Sequence, residues 1–514
     1  MKRSALILSS LLAILPAVAQ DGPVPKLEGG VYALKMSPNG KWIGSQAGDA
    51  SIYNVETGEN IYYSPCSLGV GNAMADNGMA VGCANDVPTI MYKGNTIYPD
   101  NLMKYWFCDI NGITPDATHI VGIVNNTKRD GVSYVPFIAP VDGNGNVGEV
   151  TILPYPDKDF FGVAPQYCTA VTVNRDATVI VGQVQDWRGM YSYPIYYKKK
   201  ADGTWEYTCP SESMFNPTGI ELPQNPWVNE PAYPDPENFM SGSAKDAYLA
   251  AFEAYTGGAG AYPEPSEYMT EEEYEAYADA VESYNKWYYQ QEQTIREYQK
   301  IYSDVQKTSP SFAGNDMAMH PSGEYFMMHG GKNDENGEMM GTIYCFSTIN
   351  DEVSEVKAPG PEYFPIQILS DNTLIVTKPI ESVPTSYIRL PGQNEFLTIQ
   401  EYYKSKNVPS VANWLDTTVP GGTGFVLFSD DMKFMTGALI PDQLADYDES
   451  SYYYSTYFLT YDTAGVESLT VEPADGVYRV YNLQGVKVME TKNASELDAL
   501  HKGIYIINGK KILK

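Results

Sequence analysis

The chain of 514 residues is 43% hydrophobic and 19% charged, which is enough apolar material for a packed core and excludes disorder along the whole length. It carries 34 Lys plus Arg against 64 Asp plus Glu, and the resulting net charge of -30 opposes binding to the phosphates of DNA or RNA. Tyrosine is frequent, with 42 Tyr against 16 Phe, so most of the aromatic side chains carry a hydroxyl group.

The first nineteen residues have the three parts of a secretory signal peptide. Lys2 and Arg3 form the charged start, residues 5–15 are apolar, and Ala17 to Ala19 form a small-residue cleavage site. This apolar stretch is too short to cross a bilayer, which needs ~20 residues. We therefore expect cleavage after residue 19 and no transmembrane segment in the mature chain. The expected location is secreted or on the outer cell surface, or periplasmic if a C-terminal sorting signal is not used.

Six cysteines are present, and the even number in an exported chain permits disulfide bonds. They are sparse and include no CxxC pair, and six cysteines allow 15 pairings among which the sequence does not choose. Cys83 follows an apolar segment and is expected to be a small core residue. The six are Cys66, Cys83, Cys108, Cys168, Cys209 and Cys345.

A short pattern recurs seven times along the chain: an apolar pair, a polar turn of the Ser/Thr-x-Asp/Asn-Gly kind, and an apolar run that often ends in Gly. Asp, Asn and Gly favour left-handed and Asx-turn geometry, and the flanking apolar runs favour strands. Each copy therefore predicts a β-hairpin. The copies occupy residues 34–44, 73–82, 113–122, 173–182, 319–328, 368–376 and 428–437.

A third strand signal follows most of the hairpins, and a fourth often comes after another turn. The glycines that end the first four copies are 38, 40 and 60 residues apart. Four strands per unit at such intervals are typical of propeller blades. The sequence thus predicts a mainly β protein with a seven-bladed β-propeller over residues 20–465, and a pair of β-sandwiches is the alternative. The third strand signals are at residues 51–54, 88–92, 134–138, 193–197, 342–346 and 386–390.

The turn motif resembles that of a known group of propellers. Met36-Ser-Pro-Asn-Gly-Lys-Trp-Ile and Met319-His-Pro-Ser-Gly-Glu-Tyr are similar to the Ser-Pro-Asp-Gly hairpins of TolB-like and WD-repeat-like propellers. The Trp-Asp dipeptide and its His partner, which true WD repeats contain, are absent. The resemblance spans roughly residues 30–460 and implies a fold but no particular function.

Residues 240–306 interrupt the repeats and predict helices. Residues 243–255 form one helix candidate, and Thr270 to Glu273 is a capping box that opens a long helix to about residue 304. Fourteen acidic residues stand against five basic ones from Glu237 to Lys307, so we expect a helical hairpin that is acidic outside and tyrosine-lined inside. It is either a lid or partner-docking arm, or a helical pair packed on the propeller for stability. Its apolar stripe comprises Tyr274, Tyr277, Val281, Tyr284, Tyr288, Ile295, Tyr298 and Tyr302.

Residues 466–514 differ from the rest in charge, with seven basic and six acidic residues, and predict a small β-domain with Asn-Gly hairpin chemistry. Three blocks in order, at residues 481–488, 500–507 and 510–514, resemble the type A C-terminal sorting domain of the Bacteroidota type IX secretion system. The resemblance implies export across the outer membrane with the secretion machinery as partner. An ordinary terminal β-domain is the alternative. The sorting-signal residues are Tyr481, Gly485, Gly503, Tyr505, Lys511 and Lys514.

The sequence contains no familiar catalytic motif: no GxSxG elbow, P-loop, HExxH or clustered Cys/His spacing. His119, His320 and His329 are isolated and are expected to be turn or core residues, and residues 142–146 are expected to form a hairpin turn and not a calcium loop. We therefore predict no catalytic residue, no metal and no cofactor. The expected function is a non-catalytic binding module for glycan or protein. The alternative is a polysaccharide hydrolase with carboxylates converging on the propeller channel.

Overall fold

The computed structural model describes most of the chain between residues 24 and 513. The predicted signal peptide, together with Gly485, Gly503 and Lys514 of the predicted sorting signal, lies outside the described residues. The described residues are 24–46, 48–128, 131–186, 191–221, 231–256, 261–336, 339–378, 384–440, 443, 455–460, 477–482, 487–492, 504–507 and 510–513.

Seven four-stranded antiparallel blades form the body, which confirms the predicted propeller. Blades 3 and 4 are joined into one sheet by a single parallel pair, Tyr134 with Tyr167. Blade 1 contains Ala33–Met36, Trp42–Gln46, Ala50–Asn54 and Asn60–Tyr63; blade 2 Cys66–Leu68, Ala80–Ala84, Val87–Tyr92 and Asn95–Ile97; blade 3 Cys108–Ile113, His119–Asn125, Tyr134–Pro140 and Thr151–Ile152; blade 4 Tyr167–Val173, Val179–Gln185, Ser192–Lys199 and Trp205–Thr208. Blade 5 contains Ser311–Met319, Tyr325–Asn333, Met339–Ser347 and Val353–Val356; blade 6 Phe364–Ile368, Leu374–Thr377, Ser386–Arg389 and Leu397–Thr398; blade 7 Phe425–Phe428, Phe434–Leu439, Ser455–Thr460 and Lys26–Gly29.

The last blade is completed by the first strand of the chain. Lys26–Gly29 pairs antiparallel with Ser455–Thr460, so that Leu27 lies opposite Tyr457. Just before the chain enters blade 1, the carbonyl of Val31 accepts a hydrogen bond from the Thr456 hydroxyl of blade 7 at 2.7 Å. Blade 7 therefore combines three strands from the C-terminal end of the propeller with one strand from its N-terminal end, and this pairing closes the ring.

Every predicted turn lies between the first and second strand of a blade and has the same geometry. The carbonyl of its first residue accepts a hydrogen bond from the N–H of its fourth, at 2.8 to 3.2 Å. The fourth residue has a φ between 50° and 85° in all seven turns, a conformation that Gly and Asn adopt most easily. The fourth residues are Gly40, Gly78, Ala117, Ala177, Gly323, Asn372 and Met432.

Helices lie mainly in the connections that lead from the last strand of one blade to the first strand of the next. The predicted insertion between blades 4 and 5 contains three helices, and two more precede blade 7. The helices are α1 Asp100–Met103, α2 Gly242–Thr256, α3 Glu271–Gln290, α4 Glu292–Gln306, α5 Ile399–Ser405 and α6 Pro409–Thr418, with short 3-10 turns at Glu212–Met214, Pro236–Asn238 and Pro265–Glu267.

The prediction of one long, inward-facing helix to about residue 304 was wrong in two respects. The helix is interrupted at Gln291, which ends α3 and begins α4. The tyrosine stripe is buried only in α4, where Ile295, Tyr298 and Tyr302 pack into the core of blades 4 and 5. No residue of α3 is buried. The stripe predicts an apolar face along both helices, but only the α4 part of that face packs against the propeller.

A separate four-stranded antiparallel sheet lies at the end of the chain, as the sequence predicts. Its spatial order places the second strand at one edge and the first next to it, followed by the third and fourth. Its strands are Tyr478–Asn482, Lys487–Thr491, Ile504–Ile507 and Lys510–Leu513.

Candidate functional site

The propeller encloses a central channel with a cavity of about 620 Å³. Residues from the first strands or first turns of all seven blades line it. The volume lies within the range of about 300–1,000 Å³ that is typical of small-molecule sites. The lining is largely apolar, and its large apolar members include Leu34, Met36, Leu68, Val70, Ile113, Val173, Met319, Phe364, Ile366, Phe425 and Leu427.

One wall of the channel is formed by residues 69–72, which lie against the first strand of blade 3. The N–H of Gly71 donates to the carbonyl of Asn111 at 2.9 Å, and the N–H of Ile113 donates to the carbonyl of Asn72 at 2.7 Å. A Cβ atom on Gly71 would stand 1.8 Å from the carbonyl oxygen of Val171, so only glycine permits this approach. The segment thereby places the carbonyl of Val70 at the channel wall.

A lysine reaches that carbonyl from blade 1. The Nζ of Lys35 donates to the oxygen of Val70 at 2.6 Å, and both residues line the cavity. Among the described residues no carboxylate pairs with Lys35, and burial within the channel lowers the pKa of this lysine to about 8. Sequence reasoning missed one available signal: Lys35 interrupts the apolar run of the first repeat, between Leu34 and Met36, which also line the channel.

On the side where the seven turns lie, an ion pair crosses the mouth of the channel. The Nη2 of Arg175 in blade 4 lies 3.0 Å from the Oδ2 of Asp430 in blade 7. The backbone N–H of Ser370 also donates to Asp430, at 2.8 Å. Among the described residues that line the cavity, Asp430 is the single carboxylate. The carboxylate pair that the hydrolase alternative requires is therefore not formed by the described lining residues.

Two buried carboxylates lie away from the channel, where α4 joins the propeller. Asp159 and Asp186 are 7% and 5% exposed. The Oδ1 of Asp159 accepts from the N–H groups of Phe161 and Val163, and burial raises the pKa of Asp159 to about 6, with a further contribution from the charge of Asp186. Asp186 accepts from the hydroxyl of Tyr302 at 3.0 Å, which fixes α4 to blade 4. These hydrogen bonds indicate structural roles: Asp159 stabilises its own turn, and Asp186 holds α4 against blade 4.

The helices α2 and α3 with the described loop residues before and between them, residues 231–256 and 261–290, form a unit that we call the arm. The start of α3 is fixed by the predicted capping box, in which Glu273 and Thr270 exchange hydrogen bonds, and the hydroxyl of Ser241 also donates to Glu273 at 2.9 Å. The parts are held together by edge-on aromatic pairs, at 5.0 Å for Tyr233 with Tyr284 and 5.5 Å for Phe239 with Tyr277.

The arm exposes an unusual amount of aromatic surface beside acidic side chains. The helix α3 carries six acidic residues and one basic residue, Lys286. Tyr289 is 71% exposed, and the other large apolar or aromatic side chains of the arm with more than a third of their surface exposed are Tyr233, Leu249, Phe252, Tyr255, Tyr262, Tyr274 and Tyr288.

The described histidines and the six cysteines occupy structural positions. His320 in the blade 5 turn contacts the hydroxyl of Ser322 at 2.7 Å, and His329 contacts the carbonyl of Pro361 at 2.9 Å within a strand that continues to Asn333. All six cysteines lie in the described part of the chain, and none of them forms a disulfide bond. Burial raises the pKa of Cys209 to about 12, so that thiol is protonated at neutral pH. Cys83 is only half-buried, beside the hydroxyl of Ser67 at 3.0 Å.

Two further sequence predictions concern a turn and the tail. Asp142 accepts from the N–H groups of Asn144 and Asn146, so the segment is a hairpin turn, as predicted. In the C-terminal sheet, Tyr481 lies opposite Ile506 and Asn482 opposite Tyr505, while Lys511 lies on the fourth strand opposite Ile506. The three sorting-signal residues that are described thus belong to one sheet.

The fold and channel define the class: the protein is a seven-bladed β-propeller with a helical insertion and a C-terminal β-sheet. Of the helices in the described part of the chain, none has both the length and the apolar character needed to cross a membrane. No family model and no curated protein sequence matches the chain.

The chain shares similarity with several solved structures. An oligogalacturonate lyase in complex with manganese aligns over 85% of this chain and 91% of its own, with 8% identity and a TM-score of 0.40. A TolB protein from Agrobacterium tumefaciens aligns over 68% of this chain and 86% of its own, with 9% identity and a TM-score of 0.33. The propeller domain of the Trilobed protease from Pyrococcus furiosus aligns over 80% and 79%, with 7% identity and a TM-score of 0.29.

Proposed function

We propose that the protein is an exported, non-catalytic interaction module that binds a partner protein through the arm. The observation that carries this proposal is the exposed aromatic surface of α2 and α3, which the propeller does not cover. Exposed apolar patches rimmed by polar groups are typical of protein interaction sites, and tyrosine is enriched at the centre of interfaces. Packing for stability accounts for α4 but not for α3.

The charge of the arm specifies the kind of partner. With six acidic residues against one basic on α3, the surface attracts a partner whose contact face is basic. The tyrosines contribute flat apolar area and a hydroxyl group at low cost in side-chain entropy. Such an interface combines aromatic anchors with an acidic rim, and its association rate falls as the salt concentration rises.

The test compares the wild-type protein with the triple variant Tyr255→Ser, Tyr274→Ser and Tyr289→Ser on an array of cationic proteins and peptides and on a glycan array. We expect binding to a cationic protein that weakens with salt and falls at least tenfold in the triple variant. The matched control is Tyr62→Ser, because Tyr62 is 67% exposed on blade 1, outside the arm.

Equal binding by the triple variant and the wild-type protein would contradict the role of the arm. Binding to a glycan alone would replace the protein partner by a carbohydrate. Release of sugar products from a polysaccharide on the same array would support the hydrolase alternative instead.

We also propose that residues 1–19 direct the chain across the inner membrane and that residues 466–514 direct it through a type IX secretion system. The support is the signal-peptide pattern and the three ordered tail blocks. Fusion of residues 466–514 to a periplasmic reporter in a competent host is expected to place the reporter outside the cell. The control lacks residues 510–514 and is expected to stay in the periplasm. Retention of the complete fusion in the periplasm would refute the sorting role.

A further inference from the structure

We propose that the propeller channel is a binding site for a small organic carboxylate with an apolar body, and that the carboxylate pairs with the ammonium group of Lys35. This site is separate from the arm and does not depend on the protein partner proposed above. Four properties of the channel lead to it: the free donor capacity of Lys35, the charge balance of the lining, the occupied amide groups, and the apolar wall.

Lys35 has donor capacity that the described protein groups do not use. An ammonium group has three N–H donors, and the carbonyl of Val70 accepts one of them at 2.6 Å. Among the described residues no carboxylate lies close enough to stabilise the charge, and the lowered pKa of Lys35 has burial as its cause. Lys35 is half-buried, and a charge that is partly withdrawn from water without an opposite charge beside it is costly, so an anionic ligand gains the interaction that the protein leaves open.

The described lining has a positive charge balance in a chain whose net charge is -30. Its charged members are Lys35, Arg175 and Asp430, and the last two pair with each other at 3.0 Å. Lys35 is therefore the remaining charge in the channel. Because Arg175 is held by Asp430 at the mouth, the geometry assigns the anion to Lys35 and not to the arginine.

The other polar side chains of the wall favour an apolar body over a sugar. Gln367 exchanges hydrogen bonds with both backbone groups of Phe428, and Gln46 accepts from the N–H of Leu68 at 3.1 Å. Asn174 bonds within its own turn and to the carbonyl of Ser322. These three amides hold the propeller together, and the remaining amide of Asn72 and hydroxyl of Thr172 are few groups for the many hydroxyls of a carbohydrate, whereas the aliphatic and aromatic side chains of the wall fit a hydrocarbon chain or ring.

Solvent reaches the channel. Val70 is 41% exposed although it lines the cavity, and Asn72 beside it is also exposed. A ligand can therefore enter without a rearrangement of the blades.

The experiment measures binding of octanoate to the full chain by titration calorimetry, with octanamide as the neutral analogue. We expect octanoate to bind at least tenfold more tightly than octanamide at pH 7. Lys35→Met keeps an unbranched side chain that is one atom shorter and removes its charge, and it is expected to reduce octanoate affinity at least tenfold. The control is Lys41→Met, because Lys41 is exposed in the same blade and pairs with Glu56 at 2.8 Å.

Two measurements on the wild-type protein keep the test valid if Lys35→Met fails to fold. Octanoate affinity should fall between pH 7 and pH 10 as Lys35 loses its proton, and the preference over octanamide should disappear with it. Equal binding of octanoate and octanamide at pH 7, or octanoate binding that does not change with pH, would overturn the proposal. The arm variant should bind octanoate as the wild-type protein does, so failure at one site is distinguishable from failure at the other.

Discussion

Asp142 and Asp159 each accept hydrogen bonds from two backbone N–H groups that follow them in the chain, but Asp142 is exposed and Asp159 is buried. Asx turns are encoded locally, so the turn at Asp142 could be predicted from its neighbours. Asp159 forms the same kind of turn, but it is buried where a distant part of the chain packs on that turn: the ring of Tyr302 in α4 stacks on Phe161 at 4.5 Å. Lys35 is similar, because its environment depends on all seven blades. A turn can therefore be predicted from neighbouring residues, whereas the burial of a charged side chain depends on the assembled fold.

Replacement of Asp159 by Asn is expected to stabilise the protein at neutral pH. The amide oxygen of Asn retains the acceptor for the N–H groups of Phe161 and Val163, while the buried charge is lost. Because the pKa of Asp159 is raised from 3.8 to about 6, the folded state binds more protons than the unfolded state between these values. The free energy of unfolding of the wild-type protein therefore falls as pH rises from about 4 to about 6.

The expected gain for Asp159→Asn at pH 7 is about 1–3 kcal/mol, and it should vanish near pH 4. Chemical denaturation of both proteins across this pH range measures it. The control is Asp142→Asn, since Asp142 forms an equivalent turn in which hydrogen bonds lower its pKa. That variant should lose stability at neutral pH. A loss of stability at pH 7 for Asp159→Asn would show that the charged form is the favoured one.

At the scale of the element, the turn between the first and second strand was predictable in all seven blades. Its fourth position needs a positive φ, and the sequence supplies Gly or Asn there in four blades. Ala117, Ala177 and Met432 adopt the same conformation without that advantage, because the flanking strands hold them in place. The helices behave differently. The periodic stripe predicts an apolar face on α3 as well as on α4, but periodicity alone does not show which of the two faces packs against the propeller.

Gly40→Ala tests the contribution of the turn to the packing between blades. The φ of Gly40 is 72°, and a Cβ atom there would lie 2.8 Å from the Cβ of Ser429 and 2.9 Å from that of Phe434 in blade 7. We expect a loss of about 2–4 kcal/mol from backbone strain and overpacking together. Gly203→Ala is the matched control, because its φ is 86° and a Cβ atom there meets nothing within 4 Å.

The control should lose about 1 kcal/mol, the cost of the backbone conformation alone. Equal losses at the two positions, measured as the free energy of unfolding, would mean that contact between the turns of blades 1 and 7 does not contribute. Circular dichroism before denaturation checks that both variants keep their strand content.

At the scale of the whole molecule, the propeller ring is closed by a pair of strands that the repeat pattern does not predict. The seven copies give the number of blades, but Lys26–Gly29 lies before the first copy and its sequence, Lys-Leu-Glu-Gly, has little strand character. Its partner Ser455–Thr460 is more than 400 residues away, and only the geometry of a closed ring brings the two together. The repeat thus predicts how many strands a blade has, whereas the chain segment that supplies the fourth strand of blade 7 follows only from the closed ring.

Deletion of residues 24–30 is therefore expected to weaken the whole propeller and not only its N-terminus. The deletion removes the outer strand of blade 7 and exposes the edge of Ser455–Thr460. It also frees the backbone at Val31, so the hydrogen bond from the Thr456 hydroxyl to the carbonyl of Val31 is weakened. We expect a loss of about 2–4 kcal/mol, from roughly one kcal/mol for each lost ladder hydrogen bond, and a tendency to self-associate through the exposed edge.

Thermal denaturation and size-exclusion chromatography of the deletion variant measure both effects. The control is Lys26→Ala, which removes the exposed ion pair with Glu28 at 2.9 Å but leaves the backbone ladder in place, and it should change stability little. If the deletion variant unfolds at the same temperature as the wild-type protein and elutes at the same volume, the ring does not need its N-terminal strand. If it unfolds in a separate earlier step confined to blade 7, closure stabilises that blade alone, and the blades then unfold as independent units.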